Sequence, residues 1–218
     1  MISRWRHMIA IAAGYLAGVA AYAWLPAGPS FAGNPHFWTS PIARPFLAFL
    51  LPTTAALIYV LIHWVWARDL VRDREEPFEP TYDSILFTVV AFVIAIHLMV
   101  LATLTGALPA WQTSLVRATI ILFGLVVARV GNLLPRTRPN LAFGFRTAHT
   151  LADRRLWMQI HRTAGYVAVG MGLVFVIGGA FLTKQAMGQL TGIATATALI
   201  VFVISFYRYS SVSERTEP

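Results

Sequence analysis

Apolar residues run in six long blocks along this chain, separated by short polar or Pro/Gly-rich intervals. The blocks are Met8 to Leu25, Phe46 to Ala67, Ser84 to about Gly106, Leu115 to about Val130, Gly165 to Thr183, and Leu190 to Tyr207. Each approaches the roughly 20 residues that a helix needs to cross the hydrocarbon core of a bilayer. The pattern predicts an all-α polytopic transmembrane helical bundle of six spans. It divides the chain into spans 1–4 with short loops (1–130), a cytoplasmic loop with an interfacial helix (131–165), and spans 5–6 with a polar tail (166–218). The first apolar block is longer than the roughly 7–15 residues of a signal-peptide core. It therefore reads as an uncleaved helix, with Ser30-Phe-Ala32 the cleavage site that the signal-peptide alternative would use. Gly14 and Gly18 form a small-xxx-small pair of the kind that lets helices approach closely.

The intervals differ in character. Pro26 to Arg44 is rich in Pro, Gly and Ser, Ala107 to Thr113 has no charge, and Lys184 to Gln189 is a short turn. Arg68 to Asp83 carries alternating charges and no apolar period, and reads as a solvated connection.

Composition supports the membrane reading. The 218 residues are 57% hydrophobic and 12% charged, about half the charge of a soluble domain, and the mean hydropathy is +0.65. There is no cysteine, which excludes disulfides, thiolate metal sites and cysteine nucleophiles. The net charge of +8 does not indicate direct nucleic-acid binding, because the basic residues flank apolar spans. With a cytoplasmic N-terminus, six spans place fourteen of the seventeen basic residues inside and leave only Arg44, Arg117 and Lys184 outside. That bias predicts cytoplasmic termini and a cytoplasmic loop between spans 4 and 5.

This loop, Gly131 to Gly165, is the least lipid-like part of the chain. It carries Arg136, Arg138, Arg146, Arg154, Arg155 and Arg162, with Asp153 as its only acid. Pro135 and Pro139 fix φ, while Asn132, Asn140 and Gly144 suit turns. Thr150-Leu-Ala-Asp153 has the form of a capping box. The helix that follows is expected to lie on the membrane surface before turning inward. Gly131-Asn132-x-Leu-Pro135-Arg136-x-Arg138-Pro139-Asn140, Gly144-Phe-Arg146-Thr147, Thr150-Leu, Trp157, His161-Arg162 and Gly165 together resemble the signature of the SdpI family. Two departures stand out: Ala148-His149 replaces the family's usual Pro-Trp, and Ile160 its usual Thr.

The resemblance implies a bacterial inner-membrane protein. Its expected role is immunity to a secreted membrane-active peptide toxin, with a transcriptional repressor held at the membrane as a further partner. The remaining expectations rest on the residues themselves. Trp157 and His161, four apart, share a helix face. Asn132, Asn140, Arg146, Thr147, His161 and Arg162 suggest a folded polar network that braces spans 4 and 5 or binds an anionic partner. The plainer reading of the Arg set is topology and attraction to anionic lipid.

His97, deep in the third span, is either a functional intramembrane group or a neutral histidine bonded to a neighbouring carbonyl. His63 is interfacial. A metal site from His97, His149 and His161 lacks a carboxylate at suitable spacing. No hydrolase, P-loop or zinc-protease motif is present, so the chain is read as a non-enzyme without cofactor or metal. A small-molecule or lipid transporter, with His97 and the signature as its polar path, is the alternative from another class, and an unrecognised membrane enzyme a third.

Overall fold

The computed structural model describes residues 4–25, 43–68, 79–105 and 112–214, and among these residues it holds helices and no strand. The long helices are α1 (Arg4–Tyr22), α2 (Ala43–Ala67), α3 (Glu79–Leu104) and α4 (Gln112–Leu133). A 3-10 turn, Leu134–Arg136, follows α4 directly. Then come a short α5 (Ala148–Ala152), α6 (Arg154–Phe181) and α7 (Lys184–Glu214). The uncharged loop after span 3, the Pro/Gly/Ser-rich loop and most of the charged loop from Arg68 lie outside the described residues.

Four stretches are long and apolar enough to cross a membrane by length and composition: Ala43–Ala67, Pro80–Leu104, Leu115–Arg136 and Arg154–Phe181. The first and sixth expected spans are helices too, and the first does not meet the same measure. α1 opens on Arg4, Arg6 and His7. α7 carries the sixth apolar block, and among the described residues its apolar stretch includes Gly188–Ile204.

The chain divides into two compact units. The first comprises Met1–Leu61 and Val89–Val116, and small residues set its packing. A Cβ on Gly18 would collide with the carbonyl oxygen of Ala48, and one on Gly14 would stand 2.7 Å from Ile94 Cδ1. These contacts bring α1 against α2 and α3, as the small-xxx-small pair predicts. Leu25, Ala48 and Leu101 form the buried cluster, with Ala17, Ala21, Leu47, Phe49 and Leu104 against it. Tyr15 and Thr53 join their hydroxyls at 2.9 Å. His97 is fully buried, and its Nε2 lies 3.1 Å from the Gly14 carbonyl oxygen. Only an N–H can bond there, so Nε2 carries a proton. Of the two sequence readings, this geometry matches the histidine bonded to a neighbouring carbonyl.

The second unit comprises Ile62–Thr88 and Arg117–Pro218. Here α4 and α6 run antiparallel in a register written in glycine at seven-residue intervals. A Cβ on Gly165 would stand 2.6 Å from the Gly131 carbonyl oxygen, and one on Gly172 would stand 2.5 Å from that of Gly124. One on Gly179 would stand 2.8 Å from Ile121 and 3.3 Å from the Arg117 carbonyl oxygen. Two helix turns separate successive contacts, so each glycine returns to the same face. The backbones touch along the whole seam, and the end of α4 is thereby fixed against the start of α6.

Three local expectations change. Gly131 and Asn132 belong to the last turn of α4, not to the loop. The capping box lies one turn earlier than expected, at Thr147 and Thr150. The helix after Asp153 does not give way to a separate span at Gly165, because α6 is continuous for 28 residues. At ~1.5 Å per residue that is about 42 Å, more than the roughly 30 Å hydrocarbon core. α6 therefore projects from the apolar layer, and the projecting end is the one bearing Arg154, Arg155 and Arg162.

Candidate functional site

The loop between α4 and α6 is built by a succession of short-range bonds. Pro135 sits at the start of the 3-10 turn, where its missing N–H is not needed. The Thr137 N–H closes this turn on the Leu134 carbonyl at 3.0 Å, and the Thr137 hydroxyl donates to the same oxygen at 2.7 Å. Asn140, almost fully buried, then folds the chain around its own amide. Its Nδ2 donates to the Arg138 carbonyl at 2.6 Å, and its Oδ1 accepts from the N–H groups of Ala142 and Phe143 at 2.9 and 2.8 Å. Asparagine is suited to this because one side chain supplies both donor and acceptor.

Gly144 follows at φ +108, a conformation that a side chain rarely tolerates. It brings the next residue onto α6. The Phe145 N–H donates to His161 Nε2 at 3.0 Å. Because a backbone N–H can only donate, Nε2 is the accepting nitrogen and the proton resides on Nδ1. That Nδ1–H donates to the Trp157 carbonyl at 2.8 Å. His161 is thus neutral and fully satisfied in a buried position. A second proton on Nε2 would face the Phe145 N–H and break the bond. The Trp157 ring stacks on His161, with centroids 3.9 Å apart and planes 15° from parallel. Its indole N–H reaches back to the Thr137 carbonyl at 3.1 Å and the Thr137 hydroxyl at 3.3 Å. The two α6 residues four apart therefore hold both ends of the loop, Thr137 through Trp157 and Phe145 through His161.

The loop closes through reciprocal threonines. Thr147 Oγ1 accepts from the Thr150 N–H at 3.1 Å, while the Thr147 N–H donates to Thr150 Oγ1 at 2.8 Å. The Thr150 hydroxyl also reaches the Phe145 carbonyl at 2.8 Å. Threonine takes the place that Glu or Gln usually fills in such a box. Asp153 ends α5 and caps α6, accepting from the Arg155 and Leu156 N–H groups at 2.7 and 3.2 Å. Its charge also suits the positive end of that helix.

Aromatic rings from the same unit support the loop. Phe143 packs on the buried Tyr82, with centroids 5.4 Å apart, and Tyr82 packs on Trp66 at 4.2 Å and on His63 at 5.9 Å. Arg68 lies over the Trp64 ring, 4.2 Å from its centroid. Arg129 Nε donates to the Thr88 hydroxyl at 2.9 Å, joining α4 to α3.

The structure thus separates the expected network into two sets. Thr137, Asn140, Thr150, Trp157 and His161 are buried and bind one another through the loop backbone. Arg136, Arg146, Arg154, Arg155 and Arg162 are exposed, as is Asn132, and Arg138 is half-buried. Arg146 donates to the Leu141 carbonyl, and Arg162 to the Tyr166 hydroxyl at 3.2 Å. Asn132 and Arg162 are not part of the buried set. Thr137 and Phe145 complete it, although neither stands out in the sequence, because the hydrogen bonds of Phe145 come from its backbone N–H and carbonyl. Ile160, where the resembled family has Thr, is buried, and Ala148 and His149 are exposed. Among the described residues no group of three His, Asp or Glu side chains is placed to hold a metal ion.

The site is a rigid cationic platform, with polar groups spent on shape and guanidinium groups turned outward. The chain matches no curated protein and no solved structure. Residues 136–207, from the 3-10 turn through the loop, α6 and most of α7, match the family model described as the SdpI/YfhL protein family. The motif, the locked loop and this match fall in the same part of the chain, and over residues 136–207 the protein is similar to the SdpI/YfhL family.

Proposed function

We propose that this protein is a multi-pass protein of a bacterial inner membrane that confers immunity to a secreted membrane-active peptide toxin. In the same reading its cytoplasmic face holds a transcriptional repressor. The observation that carries the proposal is the coincidence of the family match with the loop that the structure builds most elaborately. A tether for topology needs charge alone. This loop instead fixes the backbone from which its arginines project, which suits recognition of a partner. No catalytic step is assigned. The transporter reading gains no support from His97, whose Nε2–H is committed to the Gly14 carbonyl. Survival of toxin-sensitive cells expressing the chain is the test of immunity.

The proposed topology has six spans and both termini in the cytoplasm. The absence of native cysteine makes single-cysteine labelling clean. A cysteine at Ala148, exposed on α5, should react in intact cells only with a membrane-permeant reagent. One at Ser30 should react with an impermeant reagent. The opposite pattern would invert the topology and remove the platform from the cytoplasm.

A further inference from the structure

Beside the locked loop lies a cleft of about 510 Å³. Its loop wall is Gly144, Phe145, Arg146 and Thr147, and its helix wall is Phe202, Val203 and Tyr207 of α7. Phe145 and Phe202 stack at its base, with centroids 4.0 Å apart and planes 29° from parallel. The Phe145 N–H donates to His161, so this wall is preset by the same bond that locks the loop.

The lining is polarised. Among the described residues that line it Arg146 is the only charged one, and none is an acid. Among the described residues Arg146 makes one hydrogen bond, to the Leu141 carbonyl. A guanidinium has five N–H donors, so most remain for a ligand. Val203 and Tyr207 lie in the last turns of the apolar block Leu190 to Tyr207, just before Arg208. Along α7 the cleft therefore passes from hydrocarbon-like surface to a Tyr and an Arg at the level where the apolar stretch stops. A ligand that fits must be apolar at one end and anionic at the other.

We propose that this cleft binds a phospholipid with an anionic headgroup, the phosphate against Arg146 and an acyl chain along Phe202 and Val203. The fit is one of charge complementarity and depth. A headgroup phosphate lies where the apolar part of a spanning helix ends, and arginine grips phosphate through two parallel N–H groups. General attraction of a basic surface to anionic lipid would depend on total charge and not on which arginine is removed. A built site depends on Arg146 in particular.

The test is native mass spectrometry of the purified full chain, released from detergent containing equal amounts of phosphatidylglycerol and phosphatidylcholine. The wild type should retain phosphatidylglycerol at least about fivefold over phosphatidylcholine. Arg146→Gln should bring that ratio close to one, while Arg155→Gln, an equal loss of charge on an exposed residue outside the cleft, should leave it unchanged. Val203→Trp, which fills the cleft without touching Arg146, should reduce retention of both lipids and so covers the case in which Arg146→Gln folds poorly. Equal effects of Arg146→Gln and Arg155→Gln would mean diffuse charge and overturn the proposal. So would the absence of any lipid preference in the wild type. Displacement of phosphatidylglycerol by glycerol phosphate alone would identify a soluble-anion site and overturn the lipid assignment. Displacement only by an anionic peptide would identify a peptide groove, with the same consequence.

Discussion

Gly144→Ala should release the loop from α6 and abolish protection. Two costs combine. At φ +108 an alanine is strained by about 1–3 kcal/mol. Its Cβ would also fall on His161 Nε2. The imidazole must then move off the Phe145 N–H, leaving buried polar groups unpaired at about 1–3 kcal/mol. Thermal unfolding in detergent should fall by on the order of 5–15 °C, taking about 2–4 °C per kcal/mol for a chain of this size. The double variant Gly144→Ala with His161→Ala should be less destabilised than the sum of the singles, because the shortened side chain removes the collision while the backbone strain remains. Strict additivity, or an unchanged Gly144→Ala protein, would mean that the glycine and the histidine do not meet as described.

The second large effect is expected at the glycine seam. In Gly172→Leu the new side chain would point at backbone: its Cβ would stand 2.5 Å from the Gly124 carbonyl oxygen and 2.6 Å from the Ala128 N. Backbone in a helix cannot swing aside as a side chain can, so α4 and α6 must separate. Overpacking of this kind costs about 1–3 kcal/mol and sometimes more. Here it also displaces Pro135, whose Cγ lies 2.9 Å from the Cβ position of Gly165, and with it the Thr137 carbonyl that Trp157 bonds. Gly170 supplies the control. It lies two residues away on the same helix, yet a Cβ there meets nothing within 4 Å. Gly170→Leu should accumulate in the membrane and protect like the wild type, while Gly172→Leu should fail at both. Equal behaviour of the two variants would refute the packing register.

The helices themselves were legible in the sequence because apolar runs of sufficient length leave a chain few alternatives in a bilayer. The closeness of α1 to its neighbours could be read from Gly14 and Gly18. The α4–α6 register was readable in principle, since Gly124 and Gly131 on one helix and Gly165, Gly172 and Gly179 on the other repeat every seven residues. Counting glycines by abundance hides that period, because Gly170 and Gly178 lie off the seam. The capping box was displaced because Thr150 and Asp153 have suitable side chains at suitable spacing. Thr147 and Thr150 suit it equally, and Asp153 is drawn to the N-terminus of the longer helix.

The interior of the site was less visible. The Trp157 indole seeks an acceptor, but that this is the carbonyl of Thr137, twenty residues earlier, depends on the path set by Pro135 and Asn140. Likewise the tautomer of His161 is decided by the backbone N–H of Phe145, which no side-chain identity announces. Asn132 looked like a member of the network because it lies within the motif. In the structure it is exposed in the last turn of α4.

In the proposed function this locked loop serves immunity. The most direct measurement is survival of cells that lack their own immunity protein and are exposed to a secreted killing-factor peptide. Cells carry the wild-type chain, Trp157→Ala, or an empty vector, and survival is normalised to the amount of protein in the membrane. The account predicts that the wild-type chain protects and that Trp157→Ala, which frees Thr137 and removes the ring stacked on His161, does not. Wild-type chain present at normal level with survival no better than the empty vector would contradict it.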